Sequence, residues 1–195
     1  MPTSTPALLD RFLPNPDVRG RHETTIQAPA EFVMHLARNF EIESLWVVRT
    51  LFRWRAALLH APVAPVQQRL GLVAQMQSIG WQCLVDDPRH YFVAGAACQP
   101  WQADPAFSPI TAGEFTSFAA PDRVKIAWTL EAEELAPALT RFATETRVVA
   151  TDEQARVKFR RYWRRFGAGI VLIRLVLLPA VRRRAERLWR EQHKV

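Results

Sequence analysis

The sequence predicts an α+β fold in which a curved antiparallel β-sheet wraps around a long C-terminal helix, with extra helices inserted after the first strand. Three observations carry that prediction. After Thr151-Asp152-Glu153, the apolar residues Ala155, Phe159, Tyr162, Trp163, Phe166, Ile170, Ile173 and Leu177 follow one another at helical spacing. Between Gly80 and Ala150 the period is two, with turn residues between the runs. The chain of 195 residues carries only 7 Gly and 14 Pro and no low-complexity tract, which suits one domain and excludes collagen, linker and wholly disordered chains.

Each element follows from local pattern. Residues 1–18 are proline-rich and aperiodic and read as a loose leader with at most one short turn at Ala7–Phe12. Arg19–Gln27 alternates, with His22, Thr24 and Ile26 on one face and Arg21, Glu23, Thr25 and Gln27 on a polar, wet one. Ala28-Pro29 opens a helix through Phe32, Val33, Leu36, Ala37 and Phe40. A second helix spans about Ile42–Leu59 and ends at Pro62 and Pro65, and 66–78 suits a short third. Trp81–Val85 and Tyr91–Cys98 make a hairpin across Asp86-Asp87-Pro88-Arg89. Glu114–Phe118 and Arg123–Glu131 make a second hairpin across Ala120-Pro121-Asp122, and Leu139–Ala150 is one more strand. In the terminal helix, Phe159, Trp163 and Phe166 are expected to be buried. Gly167 and Gly169 weaken it, and Pro179 should break it and open a last arginine-rich helix.

Charge is distributed unevenly. The net charge is +7, yet residues 1–152 hold 13 Lys/Arg against 16 Asp/Glu, while 153–195 hold 13 against 3. A basic end suits phosphate groups on lipid or nucleic acid, or a solvated helix face. The longest apolar run, GIVLIRLVLLP, is too short to span a membrane and contains Arg174. No secretory signal pattern opens the sequence, so the expected location is the cytoplasm, with the membrane surface as the alternative.

The stretch HETTIQAPAEFV (His22 to Val33) resembles the opening of the START-like helix-grip superfamily (SRPBCC), which includes polyketide cyclases/dehydrases, hydrophobic-ligand carriers and lipid-transfer domains. The hairpin Gly80–Gly95, the strand Thr144-Glu145-Thr146-Arg147-Val148 and the element Arg161 to Trp163 are similar to a bacterial branch of it. The resemblance spans 19–178, taken as the ligand-binding domain, and leaves 179–195 as a basic helical tail. It departs from the family in the helical insertion at 42–78.

The resemblance implies a cavity between sheet and terminal helix, with Trp81, Phe92, Phe115, Trp128, Phe142, Phe159, Tyr162 and Trp163 facing inward and Ala94, Gly95 and Ala96 leaving volume. The plain alternative is that these aromatics fill the core. His22 is the one ionisable group on the inward set, a candidate base or ligand anchor. Glu145 and Arg147 read best as a surface ion pair, with Arg141 marking a wet face, and otherwise as a hold for a polar ligand head. Cys83 and Cys98 read as buried free thiols. No nucleotide loop or metal-ligand motif is present, so no cofactor and no metal are expected. Binding of a small hydrophobic or amphipathic molecule ranks first. A cyclase/aromatase-type enzyme, or a peripheral protein held to anionic membrane by Arg182, Arg183, Arg184 and Arg187, ranks next. Nucleic acid is disfavoured, because the basic run lacks a recognised module. The rival for the tail is docking onto the body or onto a second subunit through Val181, Ala185, Leu188 and Trp189.

Overall fold

The computed structural model describes residues 5–42, 45–59, 70–105 and 107–193. The elements run α1 (Thr5–Phe12), β1 (Val18–Ile26), α2 (Ala30–Arg38), α3 (Trp46–Leu58), α4 (Leu72–Ser78), β2 (Gln82–Asp87), β3 (Tyr91–Cys98), β4 (Val124–Ala136), β5 (Leu139–Ala150) and α5 (Glu153–Gln192). The strands form one antiparallel sheet in the order β1-β5-β4-β3-β2. A single sheet with a long C-terminal helix, and with α2, α3 and α4 inserted after the first strand, is the helix-grip fold the sequence predicts. Pro62 and Pro65 lie outside the described residues.

Alternate residues of each strand point to opposite faces. The inner face buries Ile26, Phe92, Ala94, Trp128 and Phe142 against α2, α4 and the C-terminal half of α5. The outer face buries Val93, Ala97 and Ala127 against Leu9 and Leu13, with Ile110 and Phe115 beside them. β3 is therefore covered on both sides, which is why it reads YFVAGAAC, apolar without alternation.

Two expectations about the outer face change. The leader is not loose from residue 5 onward: α1 forms, and Leu9 is fully buried on the sheet. Glu114–Phe118 is a helical turn rather than a strand. Thr111 N donates to Glu114 Oε2 at 2.9 Å and Glu114 N to Thr111 Oγ1 at 3.4 Å, a reciprocal capping box that outweighs the weak alternation. That turn drops Phe115 onto the outer face, so it does not belong to the inward set.

α5 also departs from expectation. Asp152 caps it by accepting from Ala155 N at 2.7 Å, as Thr-Asp-Glu foretold. It then runs 40 residues without interruption, through Gly167, Gly169 and Pro179. Pro179 costs one backbone hydrogen bond. Leu177 and Leu178 before it and Val181 and Ala185 after it are all buried in the inner core, so both flanks are held in helical register. Of the three aromatics expected inside, Phe159 is buried, while Trp163 and Phe166 stay half-buried.

Gly95 shows how tightly the outer cover sits. A Cβ there would lie 2.7 Å from Leu84 Cδ1 and 2.8 Å from Phe115 Cε2. Gly95→Ala should lower unfolding free energy by about 1–3 kcal/mol, measured by urea denaturation. An unchanged midpoint would contradict the placement of Phe115.

Candidate functional site

The inner face of β1 and β5 holds a polar group set within apolar walls. Gly20 pairs with Thr146 and His22 with Thr144, so the four lie side by side at one end of the sheet. Over them passes α5, whose positions 163, 167, 170 and 174 share one helical face. The apolar residues of that stripe were evident in sequence; its last position, Arg174, was read only as a charge that breaks an apolar run. The signal for it was its phase: an arginine in register with Trp163 and Ile170 must turn inward.

Arg174 is 8% exposed. Its Nη2 donates to Thr146 Oγ1 at 2.6 Å, and Nη1 lies 3.5 Å from where a Cβ on Gly20 would stand. Among the described residues no carboxylate forms an ion pair with it, and burial pulls its pKa down to about 10. Beside it, His22 Nδ1 is buried with no hydrogen-bond partner among the described residues. Burial first, and the Arg174 charge second, push the His22 pKa below the ordinary value. The Thr144 hydroxyl is already occupied, accepting from Trp128 Nε1 at 2.8 Å and donating to Thr129 O at 2.7 Å.

The remaining sequence-predicted site residues divide into three places. Trp81, Phe92, Ala94, Ala96, Trp128 and Phe142 come together on the inner face, but packed into the core with α2 and α5. Phe159, Tyr162 and Trp163 gather at the edge where α5 leaves the sheet, around the ends of β4 and β5. There a cleft of about 510 Å³ opens, lined by Phe159 and Trp163 and rimmed by Asp17, Arg160, Arg161 and Arg164. Phe115 lies on the other side of the sheet, as described above.

Glu145 and Arg147 are not at the surface. Both are essentially fully buried on the outer face, where α1 covers them. Arg147 Nε donates to Glu145 Oε1 at 2.8 Å, Nη1 donates to Leu13 O at 3.0 Å, and Nη1 also pairs with Asp10. Glu145 further pairs with Arg19 Nε at 2.9 Å, and Glu131 with Arg21 Nη1 at 2.7 Å. Alternating charge on a strand reads as a wet face. Here, partners from β1, β4 and α1 neutralise it instead, and every strong ligand-holding direction of the pair is taken up.

Neither Cys83 nor Cys98 is in a disulfide among the described residues. Burial and nearby Asp86 push the Cys83 thiol up, which leaves it a poor nucleophile. Among the described residues no three His, Cys, Asp or Glu side chains gather to hold a metal ion.

His22 should titrate below 6.5, followed by its imidazole NMR resonances. The unfolded chain binds that proton more readily, so stability is full above 6.5 and falls as pH drops from there toward the folded value. His22→Gln should remove this slope; a slope that persists unchanged would assign it to another group.

No family model matches the chain, and no curated protein matches it. Among solved structures it is similar to the Zhui aromatase/cyclase from a Streptomyces species, at 14% identity over 91% of this chain and 99% of that one, with a TM-score of 0.33.

Proposed function

We propose that the protein binds a small hydrophobic or amphipathic molecule between the sheet and α5. One observation carries this reading: the aromatic stripe of α5 is not consumed by the core. Tyr162, Trp163 and Phe166 remain half-buried, and Trp163 with Phe159 lines a cleft of about 510 Å³, a size ordinary for small-molecule sites. Ile170 and Arg174 follow Trp163 on the same helical face, toward the polar group set on β1 and β5. A cyclase/aromatase-type activity is the alternative, with His22 as its base. It lacks support in the form of a group that would orient the imidazole, because Nδ1 has no partner among the described residues.

The test is binding of the neutral dye N-phenyl-1-naphthylamine. Saturable one-to-one fluorescence enhancement is expected. Val18→Trp, which fills the cleft from β1, should weaken it about tenfold without lowering the melting temperature. Absence of saturable binding would overturn the reading.

Peripheral attachment to an anionic membrane is a second reading, favoured by exposed aromatic surface. No described helix is long and apolar enough to cross a bilayer. Trp46 and Trp54 of α3 are nevertheless 70% and 65% exposed, on a helix that also carries Arg49 and Arg53. The tail supports this only as added charge. Val181 and Ala185 are buried and Trp189 packs 5.4 Å from Phe32, so the segment after Pro179 docks on the body. Arg183, Arg184 and Arg187 then face outward, while Arg182 pairs with Glu186. Tryptophan beside arginine suits a lipid interface. Co-sedimentation with anionic but not neutral vesicles, lost in a Trp46→Ser/Trp54→Ser protein, is the expected result; equal recovery with both vesicle types would reject it.

A further inference from the structure

We infer that the ligand is an amphipathic carboxylate, whose anionic head binds Arg174 beside Thr146 and His22 while its apolar body lies along α5 toward Trp163 and Phe159. The inference rests on the binding reading above and names the chemical class of its ligand.

Arg174 brings a guanidinium into the inner face. It carries five N–H donors in a planar fork and keeps its charge at any physiological pH. Removing it from water without a counter-charge is strongly unfavourable. Arg174 is 8% exposed and spends one bond, to the Thr146 hydroxyl. The same sheet shows how this chain treats a buried arginine elsewhere. Arg147, 1% exposed on the opposite face, holds Glu145, Asp10 and a backbone carbonyl. Among the described residues, the contrast between the two faces leaves on the inner one a positive charge without a carboxylate and an imidazole nitrogen without a hydrogen-bond partner, side by side.

A carboxylate fits both. Its two oxygens match the guanidinium fork, and charge-assisted bonds of this kind are the strong ones. An imidazole kept neutral by burial and by Arg174 can donate from its one N–H to the same head once the anion offsets the arginine. Gly20 lies beside the fork: a Cβ there would stand 3.5 Å from Nη1, an ordinary contact distance, so the glycine keeps this side of the guanidinium clear of any longer side chain. From Arg174 to Trp163 the helix rises about 16 Å, the reach of a medium-length alkyl chain or a small fused-ring system.

The experiment compares decanoate with decanol, which share an apolar chain and differ in charge, as competitors of N-phenyl-1-naphthylamine on the full chain. Decanoate should displace the dye about tenfold more strongly than decanol from the wild-type protein. Arg174→Met should abolish that preference by weakening decanoate alone. In the wild-type protein decanoate should also raise the His22 titration midpoint, a readout that needs no variant and that a purely structural Arg174 would not move. Equal displacement by the two competitors, or a preference that survives Arg174→Met in a folded protein, overturns the carboxylate head while leaving the cavity standing. Failure of the dye and both competitors to bind at all overturns the cavity reading, and this inference with it.

Discussion

A sheet covered on both faces must pair or hydrogen-bond every charge it buries, and this constraint organises the molecule. β4 and β5 lie near the centre of the sheet and have cover on both sides, so Glu131, Glu145 and Arg147 along their middle lose their water. On the outer face the requirement is met within the chain. Glu131, Glu145 and Asp10 meet Arg19, Arg21 and Arg147 in a connected set, and Thr129 donates to Glu131 at 2.6 Å while accepting from Glu145 N at 3.0 Å. Removing Arg21 would strand the buried Glu131, which costs more than the pair contributes when intact.

That network also explains why the N-terminal segment is ordered. Leu9 and Leu13 supply the apolar cover, but Asp10 and the Leu13 carbonyl supply Arg147 with partners. Leu9 in α1 and Leu13 just after it, whose N donates to Leu9 O at 2.8 Å, set two apolar residues on the sheet one turn apart, with Asp10 at the arginine. Hydrophobic cover and charge neutralisation thus come from α1 and the residue that follows it.

Much of this was legible in sequence where the signal is local, and illegible where it depends on what packs against what. The strand Leu139–Ala150 and the helix start at Asp152 follow from period and capping alone, and the structure places both where the pattern put them. The face carrying Glu145 and Arg147 was misread because alternating charge has the same pattern whether water or α1 covers it. Phe115 was misplaced for a related reason. Its segment alternates weakly, but Thr111 and Glu114 form a capping box three residues apart, and the box decides the conformation. Pro179 was overweighted as a break, because the flanking anchors Leu178 and Val181 are tertiary information. Of the candidate site, the aromatic stripe was visible by period, whereas Arg174 was not recognised as part of it. Its partner Thr146 lies 28 residues away, and only the sheet register brings the two together.

The inner face meets the same constraint differently. A buried residue that only fills space has no reason to be charged, since an apolar side chain of similar size packs as well without the desolvation cost. On α5 the neighbouring inward positions are apolar, with Ile170 before Arg174 and Leu177, Leu178 and Val181 after it. One position in that stripe carries a guanidinium, and it faces the one inner-face histidine of β1 rather than a carboxylate. On the outer face the chain itself supplies carboxylates to Arg147 and a backbone carbonyl, from Thr116, to Lys125. On the inner face the described residues supply a hydroxyl and an imidazole, which orient an anion but do not replace it. Arg174, Thr146 and His22 thus form an inner-face set to which the described residues contribute no carboxylate, on the helical face that also lines the cleft at Phe159 and Trp163.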